Sequence, residues 1–546
     1  MAIARSPKTA EQIRRKELGA YYTDGVVVDF LVRWGLSQAR GLVMDPSCGD
    51  GRFLVSAAVQ GATEVVGCDL DPHAAETALA ALSNCEATST VHRGDFFALD
   101  PEQVAHVDLV VGNPPFVRYQ RFNGESRRRA LASATSMGVR LTALSSAWAP
   151  FVVHSIRFIR PGGAMAMVVP AEIVQTNYGQ RTLEALCRNF AHVHLLAFSR
   201  NFFADAQAET YLLLAQDAGG SCPSAELHPL DSIEQLADLQ VTGPGAATLT
   251  MDSSERTPFA LAFLKPEERV AWHRAVRRPG VSRIRDLGGV TNGYVTGAND
   301  FFLTTREAAL SQGLPDDWLV PSAVNAASLR GPAFTTADIR ELESNGHPHH
   351  LLRLPERATL ASERRLLDAL IEKGRALGID RRFKCRTRDP WWCVPGVHVP
   401  HLFLPYMVGR EPVASVNAAK ASYTNTLHGL KLAQAATAPA VAVGLHSTLT
   451  LLSMELHGRT YGGGILKLEP TEAARVHVAL PSDTRAAVEL SRLLRSGDYL
   501  EAVALADQVV LRDSIGLSRS DVALLAAARE RLVSRRYSRN PRRNTR

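Results

Sequence analysis

A chain of 546 residues with 46% hydrophobic content can bury large cores in roughly two to four domains, which excludes a disordered or fibrous protein. The formal charge of +6 is mild for this length, so a polyanionic partner is permitted but not demanded. Seven scattered cysteines exclude a disulfide scaffold, the charged start MAIARSPKTAEQIRRKEL is no signal peptide, and no apolar run reaches membrane-spanning length, so a soluble cytoplasmic protein is expected.

From about Gly41 to Gln216, short apolar runs alternate with helical ones. GLVMD, EVVGCDL, STVHRGD, VDLVVGN, GGAMAMVVP, HVHLLAF and ETYLLLA predict strands; RFLVSAAVQ, PHAAETALAAL, WAPFVVHSIRFI and RTLEALCRNF predict helices. This alternation predicts a doubly wound α/β sheet, parallel and covered on both faces. The short loop between the last two runs predicts an antiparallel last strand. Beyond Gln216 the texture changes at DAGGSCPSAELHP, and a second, mixed α/β domain is expected. The expected division is 1–220, 221–530 and a basic tail, 531–546, without fixed structure.

The unusual residues fall at the ends of the predicted strands. Asp45 ends the first, Asp69 the second, Asp95 follows the third and Asn113 the fourth. In an open α/β sheet the ligand crevice lies outside the carboxyl ends of the strands, so these four would line one crevice. In MDPSCGDGRFL, Gly49 and Gly51 remove side chains where a ligand approaches the backbone. Asp69 is placed to accept from two ribose hydroxyls, and Asp95 with Phe96 to meet an adenine. A dinucleotide is the competing ligand, but Leu54 occupies the place of the third glycine of G-x-G-x-x-G. In DLVVGNPPFVRYQ, Asn113 and the carbonyl of Pro114 offer acceptors to an amino group on a planar ring, and Phe116 offers a stacking face. The same residues would also serve an ordinary turn with a core phenylalanine.

GAYYT, DPSCGDGRFL, GCDLD, GDFF and GNPPF occur in this order. In this the chain resembles the S-adenosylmethionine-dependent DNA methyltransferases that modify amino groups, especially the TaqI-like gamma class of N6-adenine enzymes. The likeness runs from KELGAYYTDGVVVDFLV through ETYLLLA and is looser beyond. It implies a Rossmann-like methyltransferase sheet with a C-terminal target-recognition domain, acting on a flipped adenine in double-stranded DNA. It further implies that Thr23 meets the methionine carboxylate of S-adenosyl-L-methionine, Asp45 and Gly49 its methionine end, Asp69 the ribose, and Asp95 and Phe96 the adenine. Asn113, Pro114 and Phe116 would hold the target base, and Phe203, with Phe202 as the alternative, would complete the stack. Phe116 stands where the family commonly has tyrosine, so no phenol hydroxyl is required.

In RRFKCRTRDPWW, Arg386 and Arg388 suit contacts to DNA; the competing reading is a solvated basic strand with both tryptophans packed inward. Cys385, Cys393, His398 and His401 match no common zinc spacing, and no metal site is expected. VRYQRFNGESRRRA after the Asn-Pro-Pro-Phe loop reads equally as a loop that orders on DNA or as a solvated helix. The expected function is the modification enzyme of a type II restriction–modification system in a prokaryotic cytoplasm, associated with the nucleoid. A cognate restriction endonuclease would share its site without a stable complex. Alternatives are an amino-group methyltransferase acting on RNA or protein glutamine, and a DNA-binding module that has lost catalysis. The large C-terminal region counts against the glutamine-modifying type, and the intact Asn113, Asp45 and Asp69 against loss of catalysis.

Overall fold

The computed structural model describes residues 23–117, 121–198, 209–241, 245, 247–250, 258–461 and 464–538. The chain divides into two compact units, Met1–Phe263 and Leu264–Arg546.

In the first unit, β1 (Leu42–Asp45), β2 (Glu64–Asp69), β3 (Thr88–Arg93), β4 (Val107–Gly112), β5 (Ile159–Pro170), β6 (Phe190–Phe198), β7 (Thr210–Ala218), β8 (Ser224–Leu230) and β9 (Ala247–Thr250) form one sheet. Its order is β3-β2-β1-β4-β5-β7-β6-β8-β9. The central runs are apolar at successive positions because both faces are covered: Val43, Met44, Val65, Val110 and Val111 are each at most 5% exposed. β1 pairs in parallel with β2 and with β4, so the strand order reverses between β1 and β4 and opens a crevice there. β7 is antiparallel to both β5 and β6, which bears out the expected antiparallel strand.

The expected helices are present as α2 (Arg52–Val59), α3 (Pro72–Leu82), α5 (Trp148–Ile156) and α6 (Asn177–Asn189). Ahead of β1 stands α1 (Gly25–Gln38), capped by Asp24, whose carboxylate accepts from the Val26 N–H at 2.9 Å. The charged stretch after the Asn-Pro-Pro-Phe loop becomes helical from Gly124 as α4 (Gly124–Ser136), with Glu125 paired to Arg128 and Arg129 on its outer face. Of its two readings, this is the solvated helix.

Both expected boundaries move. β8 pairs in parallel with β6, and β9 antiparallel with β8, so the sheet continues past residue 220 and the division falls at Phe263/Leu264. SAELHPL resembles a linker because of its proline and polar residues; β9 covers only Ser224–Leu227, so Pro229 falls where β8 pairs with β6 alone among the described strands. The expected tail from 531 is instead the end of a helix, Arg519–Ser538, in which Leu532 and Val533 are buried. Arg536, 2% exposed, donates to Glu455 at 2.8 and 2.9 Å and to the Gly409 carbonyl at 2.9 Å. A buried arginine is tolerated because its fork is paired this fully. Residues 539–546 lie outside the described residues.

The second unit is mixed α/β, as expected. Its largest sheet joins Gly288–Asn292, Leu427–Leu432, Leu402–Pro405, Ser415–Asn417 and Ala333–Phe334 in that order. Among the described residues no single helix is long and apolar enough to cross a membrane. The one apolar pair, Ala435–Gly444 and Thr448–His457, is bent by 86°, and its Val441, Ala442, Leu451 and Met454 belong to the unit's core.

Candidate active site

Four strand ends converge at the crevice. Asp45, the last residue of β1, is 1% exposed; its Oδ1 accepts from the Ser47 N–H at 3.0 Å, while its buried Oδ2 has no hydrogen-bond partner among the described residues. Burial, reinforced by the charges of Asp69 and Asp50 against the opposing Ser47 N–H, pushes its carboxyl up to about 8. Gly112 ends β4 with φ +154°, and a Cβ there would lie 2.5 Å from Asp45 Oδ1. The fourth strand thus has to end in glycine for the first to end in aspartate.

Asp69, at the end of β2, organises the turn before α2. Its two oxygens accept from the Gly49 and Asp71 N–H groups, each at 2.9 Å, and each oxygen keeps a second lone pair for a ligand hydroxyl. Burial raises this carboxyl as well, against those two backbone bonds. Gly49 adopts φ +54° with open space beside it. Gly51, at φ +83°, packs where a Cβ would meet the Ala78 backbone of α3 at 3.0 Å. After β3, Asp95 Oδ1 caps the turn Phe96–Ala98 by accepting from Phe97 N–H at 3.1 Å.

The Asn113 carbonyl accepts from Ser47 Oγ at 3.2 Å, and its side-chain Nδ2 donates to Thr23 Oγ1 at 3.2 Å. Thr23 is 2% exposed, and its carbonyl accepts from Arg52, whose guanidinium also forks onto Asp50. Pro114 is buried and Phe116 half-buried against the core cluster that includes α1. Thr23, Asp45, Gly49, Asp69 and Asn113 are therefore tied together by short hydrogen bonds or by neighbouring strand ends.

The remaining expected residues are placed differently. The Phe96 ring is 3% exposed and packs inward on Phe151, His154 and Phe158, with centroids 4.8, 4.6 and 5.2 Å away. Phe203 and Phe202 lie outside the described residues. Arg386 is exposed, but Arg388 turns inward, donating to the Val295 carbonyl, with Nη1 buried. Trp391 is 9% exposed and Trp392 donates to the Pro355 carbonyl at 3.1 Å, so both tryptophans pack inward. Cys385 and Cys393 are free thiols.

Two networks escaped the sequence reading. His154 Nε2 donates to the Phe96 carbonyl at 3.1 Å, which leaves Nδ1 to accept from Ser133 Oγ at 2.6 Å; burial holds this imidazole down at about 4, hence neutral. Glu172 Oε2 accepts from Trp148 Nε1 at 3.0 Å and from Tyr178 Oη. Glu172 stands two residues beyond β5, so the rule that singled out Asp45 and Asp69 at strand ends would have found it. His154 gave no such signal, since a histidine in an apolar helix reads as core.

This strand order, with aspartates at the first two strand ends and Asn-Pro-Pro at the fourth, fits an S-adenosylmethionine-dependent methyltransferase of the class that acts on amino groups. Residues 8–218 match the N-6 DNA Methylase family, and residues 256–511 match the family described as Type II methyltransferase M.Eco57I, C-terminal domain. The two matched regions support an adenine-specific DNA methyltransferase, with a segment similar to the N6-adenine DNA methylases followed by one similar to the M.Eco57I C-terminal domain. It is 25% identical over 482 residues to the Type II methyltransferase M.XamI of Xanthomonas campestris pv. amaranthicola, covering 85% of this chain and 86% of that one. It is 20% identical over 391 residues to the Type II methyltransferase M.AccI of Acinetobacter calcoaceticus, covering 69% of each. Among solved structures, the DrdV–DNA complex aligns over 88% of this chain and 57% of that one, at 12% identity and a TM-score of 0.45.

The residues fit the methyl donor. Its cationic methionine end suits the buried, partnerless Oδ2 of Asp45, and its ribose hydroxyls suit the free lone pairs of Asp69.

Proposed function

We propose that the protein is a gamma-class enzyme that methylates N6 of one adenine, flipped from a specific site in duplex DNA, as the modification half of a type II restriction–modification system. The observation that carries this is the fixed geometry of Asn113, whose amide is oriented by Thr23 and whose carbonyl is held by Ser47. Nδ2 donates to Thr23, and Oδ1, the acceptor atom of the amide, is the one this reading assigns to the target amine.

The amine of adenine is a poor nucleophile because its lone pair is delocalised into the ring. Acceptance of its two hydrogens by Asn113 Oδ1 and the Pro114 carbonyl favours a tetrahedral nitrogen and localises that lone pair. The bound cofactor supplies a methyl group on a sulfonium. Catalysis by the chain then consists of alignment and fixed dipoles, and the extra proton leaves the methylated amine afterwards to water. Phe116 stacks on one face of the base, and Phe203 on the other. Asp69 binds the ribose and Asp95 the adenine amino group; Phe96 supports that pocket from behind with its ring in the core. In the second unit, Arg386 contacts a phosphate, whereas Arg388 holds the segment that carries it. The relatives are named Type II methyltransferases, which supports a restriction–modification role; a separate endonuclease reading the same site is part of this proposal.

Sequencing of DNA from cells expressing the protein, with detection of N6-methyladenine, tests this reading. It predicts modification of nearly every copy of one short sequence. Modification scattered without sequence preference, or none, contradicts it. Phe203→Ala should lessen the fluorescence rise of 2-aminopurine at the target position; if Phe202→Ala does so instead, the neighbouring ring completes the stack.

A further inference from the structure

Phe383 is the only phenylalanine, tyrosine or tryptophan in the exposed class among the residues whose side chains are described, at 63% exposure. A single exposed apolar residue is ordinary by itself. This one is set between two cations: Lys384 Nζ lies 5.6 Å and Arg386 Cζ 5.5 Å from its ring centroid. Neither Lys384 nor Arg386 has a carboxylate partner among the described residues.

The turn that carries them, Phe383–Arg386, is fastened from below at four points. Cys385 is fully buried, with its thiol 3.6 Å from the Thr296 carbonyl. Arg382 forks onto Asp300 at 2.6 and 2.8 Å. Arg388 reaches the Val295 carbonyl. Gly297, at φ +78°, allows the close approach, since a Cβ there would lie 2.7 Å from that of Lys384. Rigid backing normally accompanies a ring that is packed away; here it holds the ring in solvent with two uncompensated charges beside it. The matching partner is polyanionic and presents flat apolar faces, which describes nucleic acid: phosphates for the cations and a base for the ring.

We propose that Phe383 is an aromatic contact of the second unit with DNA, stacking against a base at the recognition site while Lys384 and Arg386 engage the flanking phosphates. This rests on the reading of the second unit as the DNA-recognition domain and assigns it a specific point of contact. Because the side chain is exposed, its truncation leaves the fold and the cofactor site intact.

The test uses the full-length protein and a fluorescein-labelled duplex bearing the site that sequencing of methylated DNA identifies, titrated at several salt concentrations. Phe383→Ala should weaken binding by about five- to tenfold, on the scale of one aromatic–base stack, without changing the dependence on salt. Lys384→Ala and Arg386→Ala should each reduce the salt dependence, by about one counterion. Phe383→Trp should bind like wild type and gain a DNA-dependent change in tryptophan fluorescence absent from the wild type. Wild-type affinity in Phe383→Ala, together with no new signal in Phe383→Trp, overturns the stacking contact. If Lys384→Ala and Arg386→Ala also bind as wild type while the wild-type protein selects its site normally, this face is not the DNA surface, and the broader reading stands on other residues. Failure of the wild-type protein to prefer the site duplex over a scrambled one would count against the recognition domain itself.

Discussion

The side-chain amide of Asn113, just beyond β4, donates to the hydroxyl of Thr23, just ahead of α1, at 3.2 Å across 90 residues of sequence. The residue assigned to the target amine is thereby oriented by the residue assigned to the methionine carboxylate. Thr23→Val keeps the shape and removes the acceptor. Methyl transfer should fall by about five- to tenfold, the scale of one hydrogen bond, with some loss of cofactor affinity, and Thr23→Ser should restore both. Single-turnover rates and calorimetry on the three proteins decide it; an unchanged rate in the valine variant means that Thr23 does not orient Asn113.

Asp45 gives the site a pH dependence of definite sign. Its carboxyl is pushed by burial from the ordinary 3.8 up to about 8. Between these values the unfolded chain is ionised while the folded chain holds the proton, so the stabilising contribution present below 3.8 is lost as pH rises through about 8. Asp45→Asn stays neutral and should melt higher than wild type without cofactor, increasingly so toward pH 8. It should also bind S-adenosylmethionine much more weakly. In the wild type a cationic ligand end favours the carboxylate, so affinity should climb with pH up to about 8, with proton release detectable in buffers of different ionisation enthalpy. A pH-independent affinity would contradict this.

Glu172 holds two donors on one oxygen, and one of them belongs to Trp148, a fully buried side chain. Glu172→Ala leaves the indole N–H and the Tyr178 hydroxyl without that acceptor and should lower stability by about 1–3 kcal/mol in denaturant titration. Glu172→Gln, which retains an acceptor oxygen, should lose less. Equal losses would show that charge, not hydrogen bonding, is what Trp148 and Tyr178 require.

The boundary at Phe263/Leu264 makes a prediction about fragments. Residues 1–263 keep β8 on the edge of β6 and should give a monodisperse protein that binds cofactor. Residues 1–220 remove β8, uncover the paired edge of β6 from His194 to Phe198, and should aggregate. Light scattering distinguishes the two; equal behaviour would mean that β8 and β9 are dispensable.

What the sequence made legible follows from the physics of each feature. Parallel strands buried on both faces are apolar at every position, so β1, β2, β4 and β5 stand out, and the polar residues at their ends stand out against them. Strands near the margin of the sheet carry a mixed pattern; β8, with Pro229 and the half-buried Ser224, Glu226 and His228, looks like a connection until its pairing with β6 is seen. Charge misled at the C-terminus, because the sequence shows Arg536 but not the Glu455 it meets across 81 residues. Distance along the chain hid the Asn113–Thr23 and Glu172–Trp148 bonds in the same way, since neither residue of a pair announces its partner. The inward turn of Arg388 has a similar origin: the acceptor is a backbone carbonyl, which no side-chain pattern reveals.

The central claim is that Asn113 acts on the target amine and not on the cofactor. The most direct measurement is the single-turnover rate of methyl transfer to unmethylated genomic DNA by Asn113→Ala, with S-adenosylmethionine affinity measured on the same preparation. Loss of one preorganised polar group at the reacting centre should lower the rate by about a hundredfold or more while cofactor affinity stays close to wild type. A variant that transfers methyl groups at nearly the wild-type rate, or one whose defect lies wholly in cofactor binding, would contradict the account.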